Sequence, residues 1–191
     1  VELAKEHGEK VAFRAWTNDF SAQRNFALEQ TDADWVLYLD ADERLNEELI
    51  NAVKRVVTSG QMDAQYAITR KSVAFDVTFS YGVLYPDHVS RMFQRKTVKW
   101  VNKVHEHPEC SLPGKQLPGY IEHHTYKDWH EWEEKLCLYT TIWAQDAYKR
   151  GKRTSMGGIL LHSIGGFFKM FVVRRGFLDG AIGFYLCCTH F

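Results

Sequence analysis

The N-terminal part of the chain alternates between helix-like and strand-like hydrophobic patterns. Asp19 is a good N-terminal cap before apolar residues that share one face, which predicts a helix over 19–30. A continuous apolar run at 35–39 is bounded by acids and is typical of a strand buried on both faces of a sheet. Asn46 precedes apolar residues at helical spacing that end at Gly60, which predicts a second helix. Helix, strand and helix in this order predict an α/β sheet.

The middle of the chain, 63–126, changes to short strand-like runs. These runs lie at 65–70, 89–94 and 98–104, and turn residues separate them at 85–87 and 117–119. The pattern predicts that the sheet is extended into a mixed sheet with long loops.

A longer helix is predicted between Asp128 and Gly151. Glu131 completes a capping box with Asp128. The helix keeps one apolar, mostly aromatic face, formed by Trp129, Trp132, Leu136, Tyr139, Trp143 and Ala147. Because aromatic stripes at helical spacing usually pack in the core, we expect this face to be buried.

The C-terminal segment 156–191 is rich in Gly and Phe. It approaches the length of a membrane-spanning helix, but His162 and Lys169 interrupt it. Two interpretations stay open. The segment forms helices on a membrane surface or hydrophobic partner, with Arg174 and Arg175 toward lipid phosphates, or it is a buried hairpin of the same domain.

Composition narrows the class of protein. The 191 residues include 24 Lys and Arg against 24 Asp and Glu, so the formal net charge is zero. This balance argues against a nucleic-acid partner, because nothing would drive general polyanion binding. The four cysteines show no CxxC spacing, which favours reduced thiols over disulfides or a zinc site. No secretory leader is recognisable, so we expect a cytoplasmic protein.

Acidic residues cluster where the predicted strand at 35–39 ends. Asp40, Asp42 and Glu43 must emerge at the carboxyl edge of the sheet, because charged groups are costly inside it. Ligands of open α/β sheets bind at that edge. Carboxylates on alternate residues can hold Mg²⁺ or Mn²⁺, which in turn holds a diphosphate. Asp32 and Asp34 have the same spacing at the opposite end of the strand and are assigned no role.

These motifs resemble the family 2 glycosyltransferases of the GT-A fold, a Rossmann-like nucleotide-diphospho-sugar transferase fold with a mixed sheet flanked by helices. The similarity follows the family order over nearly the whole chain and is nearest to the lipopolysaccharide core β-glucosyltransferases. The segments that carry it are 19–28, 34–43, 85–93, 104–106, the His123-His124 pair before Tyr126, and 176–180 with 183–184.

The resemblance implies an inverting, metal-dependent enzyme. It would move a hexose, glucose from UDP-glucose, to a lipopolysaccharide core or similar lipid-linked saccharide acceptor, at the cytoplasmic face of the inner membrane. Members of the family begin with strands that build the uridine pocket, whereas this sequence begins at the helix that follows them. We therefore expect an N-terminally truncated GT-A catalytic domain at 1–126 and a helical, apolar, membrane-associated extension at 127–191.

The resemblance also assigns the reaction chemistry. Glu106 takes the place of the catalytic base, with a solvated surface acid as the alternative interpretation. Asp42 is the direct metal ligand, and Asp40 lies nearer the donor ribose or sugar. One of three histidines completes the metal shell, with His124 preferred over His105 and His123.

Four further residues are implied in substrate binding. Arg24 and Asn25 lie on the helix that faces the donor. Arg91 contacts the donor phosphate or the acceptor, and its alternative is an ion pair with Asp87, which belongs to the same predicted site.

A second class of function stays open. The missing nucleotide pocket and the His-rich segment 105–130 also suit a non-catalytic metal- or membrane-binding fragment, or an inactive paralogue.

Overall fold

The computed structural model describes residues 2–102 and 106–190. The N-terminal elements are α1 (Glu2–Glu6), α2 (Phe20–Glu29), β1 (Trp35–Leu37), β2 (Glu43–Leu45) and α3 (Glu47–Ser59). The strands that follow are β3 (Gln65–Ala74), β4 (Val77–Thr78), β5 (Asp87–Gln94), β6 (Val98–Val101), β7 (His107–Cys110) and β8 (Gly114–Tyr126). Short 3₁₀ turns lie at Gly82–Leu84 and Arg95–Thr97.

The C-terminal part of the described chain is helical. Its elements are α4 (Trp129–Lys149), α5 (Met156–Phe168), which continues as a π-helical turn at Lys169–Val173, a 3₁₀ turn at Gly176–Asp179, and α6 (Gly180–Thr189).

The described strands form a mixed α/β architecture, which confirms the predicted fold class. Six strands make one sheet in the order β1-β5-β3-β8-β2, with β4 on β3, and β6 and β7 make a second, two-stranded sheet. The pairs β1–β5, β2–β8, β3–β4 and β6–β7 are antiparallel. The register places Val36 opposite Phe93 and Arg44 opposite Glu122.

Side-chain caps stabilise the N-terminal ends of α2, α3 and α4 as predicted. Asp19 Oδ1 accepts the backbone N–H of Ala22 at the start of α2, and Asn46 Oδ1 accepts that of Leu49 at the start of α3. Asp128 Oδ1 accepts the Glu131 N–H at the start of α4, and the Glu131 carboxylate accepts the Lys127 N–H. The predicted caps of all three helices are therefore confirmed.

The expectation that 35–39 is a strand buried on both faces is wrong. Strand β1 ends at Leu37, its three residues are half-buried, and Leu39 is 42 % exposed. The physical reason is its position, because among the described residues β1 pairs with β5 alone and lies at the edge of the sheet.

The predicted turn at 117–119 is also wrong, because β8 runs through it. Gly119 has φ +87, and a Cβ atom there would lie 2.8 Å from Leu49 Cα. The glycine therefore lets β8 pass against the start of α3, where the Asn46 side chain accepts the Tyr120 N–H. The turn at 85–87 is confirmed in its first two residues, since Tyr85 and Pro86 lie between the 3₁₀ turn and β5.

Contacts divide the chain into two compact units. The first unit consists of 1–39, 51–68 and 89–118, and the second of 40–50, 69–88 and 119–191. The core of the first unit contains Phe93, Val98 and Trp100, with Leu28, Val36 and Tyr38 packed against it. The core of the second contains Ala74, Phe79, Trp132 and Leu186. The domain boundary predicted after residue 126 stays a prediction.

The aromatic face of α4 is buried only in part, contrary to expectation. Trp132 is 3 % exposed and Ala147 is buried, whereas Tyr139 is 60 % and Trp143 61 % exposed. The core of the second unit therefore covers only part of the stripe.

The two interpretations of the C-terminal segment apply to different parts of it. By length and composition alone, the helix Met156–Val173 could cross a membrane, and none of its residues is buried. A buried hairpin is therefore wrong for this helix. Helix α6, in contrast, buries Gly183, Leu186 and Cys187 in the second unit.

Candidate functional site

In the first unit, α2 brings Arg24 to Glu106. Arg24 Nε donates to Glu106 Oε1 at 3.3 Å, and each side chain is only 19 % exposed. The Arg24 guanidinium also lies 4.6 Å from the centre of the Trp100 ring. The predicted base is therefore a partly desolvated carboxylate with a charged group that fixes its orientation. His105, one of the three candidate metal-binding histidines, lies outside the described residues.

Tyr38 contacts both Arg24 and Trp100. Its hydroxyl donates to the Arg24 carbonyl oxygen at 3.4 Å, and its ring contacts Trp100 edge-on. Burial raises the pKa of Tyr38 above its ordinary value, so the phenol stays protonated and donates at neutral pH.

Asn25 joins α2 to β6. Its Nδ2 donates to the Trp100 carbonyl oxygen at 2.8 Å, and its Oδ1 accepts the Trp100 N–H at 2.9 Å. The amide thus satisfies both backbone groups of one residue in β6. The predicted contact of Asn25 with the donor stays a prediction, while the structure gives the side chain this positioning role.

In the second unit, the acids after β1 divide into two kinds. Glu43 is 3 % exposed, its carboxylate accepts the Asp40 N–H at 2.9 Å, and it lies 3.6 Å from Arg70. Glu43 therefore stabilises the loop from within. Asp42 is different, because its side chain is 53 % exposed and is free to meet a ligand from solvent.

The histidine beside Asp42 is His123. Its Nε2 lies 3.3 Å from Asp42 Oδ2, whereas His124 contributes its backbone N–H to the Asp42 carbonyl oxygen at 2.9 Å. The two residues point to opposite faces of β8, since successive side chains of a strand alternate. The structure thus brings one of the three histidines that the sequence singled out to Asp42, and it is not the preferred one.

Arg70 is a residue of this region that sequence reasoning missed. It forms a two-point contact with Asp87, with Nε–Oδ1 and Nη2–Oδ2 distances of 3.1 and 2.7 Å. The pKa of Arg70 is raised above its ordinary value. The largest cause is the hydrogen bond to Asp87, and the negative charges of Asp87, Glu43 and Asp40 raise the pKa further. The sequence contained one signal for this role. Arg70 is a basic residue at the end of the predicted strand 65–70, and the sequence pattern had assigned no basic partner to Glu43.

Two predicted substrate-binding residues have different surroundings. Asp87 pairs with Arg70, so the alternative pairing of Asp87 with Arg91 is not the one that the structure shows. Arg91 is 5 % exposed in β5, and its carbonyl oxygen accepts the Tyr38 N–H. Its predicted contact with the donor or acceptor stays a prediction.

The side chains of Asp42 and His123 have the chemistry of ligands for a divalent cation. A carboxylate oxygen and an imidazole nitrogen both suit Mn²⁺, and the oxygen suits Mg²⁺. Over 2–102 and 106–190, no group of three or more His, Cys, Asp or Glu side chains comes together as a metal cage. The pair therefore offers two ligands, one oxygen and one nitrogen, at an exposed position.

The glycosyl transferase family 2 model matches residues 1–112, which is more than half of the chain. The chain belongs to glycosyl transferase family 2. Its mixed α/β sheet with flanking helices is consistent with the GT-A fold of these enzymes, so the predicted family and fold class are confirmed.

Other glycosyl transferases are similar over different lengths. An uncharacterized glycosyltransferase of Rickettsia prowazekii is 26 % identical over 196 residues, which cover 96 % of this chain and 67 % of that protein. One from Rickettsia typhi is 28 % identical over 205 residues, with coverages of 96 % and 67 %. A prophage-derived glycosyltransferase of Bacillus subtilis is 32 % identical over 103 residues, which cover 52 % of this chain and 22 % of that protein.

Proposed function

We propose that this glycosyl transferase is an inverting, metal-dependent enzyme that moves a hexose from a nucleotide sugar to a lipid-linked saccharide acceptor. The observation that carries the proposal is the half-buried Glu106 carboxylate, which Arg24 holds at 3.3 Å. Inverting transfer needs a carboxylate that is accessible to one acceptor hydroxyl and fixed in orientation, and the Arg24–Glu106 pair has both properties.

Glu106 acts as the general base of this reaction. It takes the proton of an acceptor hydroxyl while that oxygen attacks the anomeric carbon of the donor sugar. The new carbon–oxygen bond forms as the bond from the anomeric carbon to the diphosphate breaks. The nucleoside diphosphate leaves with the electron pair, and the configuration at the anomeric carbon inverts.

Asp42 and His123 would hold the divalent cation, Mg²⁺ or Mn²⁺. A cation at these residues supplies positive charge beside the diphosphate as negative charge builds on it. Asp40, whose backbone N–H donates to the Glu43 carboxylate, is the proposed contact to the donor ribose or sugar.

The donor and acceptor classes rest on the motif resemblance. UDP-glucose is the proposed donor, and a lipopolysaccharide core or similar glycolipid is the proposed acceptor. The exposed helix Met156–Val173 supports an acceptor that is embedded in lipid, since an aqueous acceptor would need no such surface. The cytoplasmic face of the inner membrane is the proposed location, and it rests on the motif resemblance alone.

The test is release of UDP from UDP-glucose by the full-length protein with acceptor lipid and Mn²⁺. Wild type is compared with Asp42→Ala and Glu106→Gln, and Asp34→Ala serves as the matched control for an Asp outside the site. Loss of turnover in the first two variants alone supports the proposal. Unchanged turnover in both would overturn the mechanism, and Mn²⁺ binding without any UDP release would favour a non-catalytic metal-binding protein.

A further inference from the structure

An apolar cavity of about 710 Å³ lies along the aromatic face of α4 in the second unit. Its lining includes Tyr126, Trp132, Leu136, Tyr139 and Trp143. Because Trp132 is buried and Trp143 is 61 % exposed, the cavity leads from the core of the unit to its surface. Its volume lies within the range of roughly 300–1,000 Å³ that is usual for small-molecule sites.

The exposed apolar helix α5 borders the cavity. His162, on α5, belongs to the lining, and the same helix exposes Leu161 at 74 % and Ile164 at 66 %. Exposed apolar side chains in such a run mark a surface that meets lipid or a partner. A ligand that enters the cavity from this side therefore comes from an apolar phase.

Arg174 lies near one side of the cavity, in a segment of the chain that is rich in basic residues. His190 lines the cavity, and Arg174 lies close enough that, after partial burial, its charge lowers the pKa of His190. The Arg174 guanidinium is 5.7 Å from the centre of the Tyr85 ring. Between Asp146 and Asp179 the chain has no acidic residue and seven basic ones: Lys149, Arg150, Lys152, Arg153, Lys169, Arg174 and Arg175.

We propose that this cavity binds one hydrocarbon chain of an anionic membrane lipid, whose phosphate lies at the basic residues around the exposed helix. The apolar lining matches the chain, the position of α5 beside the cavity gives the entry route, and the charge matches the headgroup. The proposal rests on the proposed function, because such a lipid is the membrane-embedded part of a lipid-linked acceptor. It also explains why the core leaves half of the α4 stripe uncovered.

The test uses phosphatidic acid with a photoreactive diazirine in one acyl chain, carried in phosphatidylcholine vesicles with the full-length protein. Illumination and peptide mapping by mass spectrometry should place the label on α4 residues that line the cavity. Thr140→Trp and Ala144→Trp each fill the cavity and should lower this labelling by about tenfold, the loss expected when two methylenes no longer fit. Leu138→Trp, on the exposed side of α4, is the matched control and should leave it unchanged.

The outcomes separate this proposal from the enzymatic one, since no sugar donor is present. Label confined to Met156–Val173, or equal labelling of α4 in wild type and in both cavity variants that retain the wild-type unfolding transition, would overturn it. Labelling of α4 that the cavity variants abolish supports the site even if the protein releases no UDP.

Discussion

Arg24 and Glu106 are 82 positions apart in the chain, yet Arg24 Nε donates to Glu106 Oε1 at 3.3 Å. Both side chains are 19 % exposed, so water screens the pair less than it would at the surface. This contact gives Arg24 a positioning role toward the proposed base, whereas the motif resemblance implies a contact with the donor.

The two roles of Arg24 separate in kinetics. Arg24→Met keeps a long side chain over Trp100 but loses the charge, and we expect kcat to fall roughly ten- to hundredfold with the KM for the donor unchanged. Arg24→Lys should recover part of the loss. A raised KM with kcat intact would show that Arg24 binds the donor instead.

The cation requirement should follow His123. Asp42→Asn removes the negative charge of one ligand and His123→Gln removes the imidazole nitrogen, so the Mn²⁺ concentration for half-maximal activity should rise by at least about tenfold in each. Asp34→Asn should leave it unchanged. The same shift in His124→Gln, with none in His123→Gln, would contradict the pairing and favour the histidine that the sequence preferred.

Asn25 should contribute to stability through Trp100. Asn25→Ala leaves the N–H and C=O of Trp100 without their partner, and we expect a loss of about 2–3 kcal/mol in the free energy of unfolding. Asn51→Ala, at an exposed position of α3, is the control and should change it by less than about 0.5 kcal/mol. Equal urea midpoints for the two variants would contradict this role.

Gly119 tests the passage of β8 against α3. An alanine there combines φ +87 with a Cβ atom 2.7 Å from Asn46 Oδ1, so Gly119→Ala should destabilise the fold by about 1–3 kcal/mol. Gly114→Ala, at the start of the same strand, meets nothing within 4 Å and should cost little. Thermal melts of both variants measure the difference, and Gly119→Ala should have the lower Tm. A similar Tm for the two would show that β8 does not approach α3 as described.

Asp179 gives a pH dependence with a definite sign. Burial raises its pKa above 3.8, while the backbone N–H groups of Ser80 and Tyr81 act in the opposite direction. The folded state thus favours the protonated acid, whose stabilising contribution is complete below the ordinary pKa and is lost as the pH rises through the folded value. Asp179→Asn keeps an acceptor for the Tyr81 N–H without this loss.

The free energy of unfolding is measured in urea at several pH values. The value for Asp179→Asn should increase relative to that of wild type as the pH rises from about 4, and the difference should then become constant. Asp179→Ala, which lacks the acceptor, should be less stable than Asp179→Asn by about 1 kcal/mol at every pH. A gain that grows toward low pH would contradict the assigned direction.

The sequence predicted the helices well because their ends are decided locally. Asp19, Asn46 and Asp128 each cap a helix through a backbone N–H three residues away, which a linear pattern contains. Strand signals failed where tertiary contacts decide the outcome. Gly119 has a turn composition but serves a close approach, and the apolar run at 35–39 lies at a sheet edge.

The candidate site follows the same division. The motif resemblance singled out Glu106 and the histidines, and the acidic cluster after the predicted strand singled out Asp42, since these residue types carry the chemistry. Their partners depend on strand register, which periodicity does not contain. The pairing of β2 with β8 places Glu43 opposite His123, and this register, not the residue type, brings His123 to Asp42.

The most direct test of the account is the turnover number of Glu106→Gln with saturating nucleotide sugar, acceptor and Mn²⁺. Glutamine keeps the size of the side chain but cannot take a proton, so kcat should fall by about 10²–10⁴-fold. Glu109→Gln, an exposed neighbour in β7, should keep the wild-type kcat. If Glu106→Gln retains the wild-type kcat, Glu106 is not the base and the proposed mechanism is wrong.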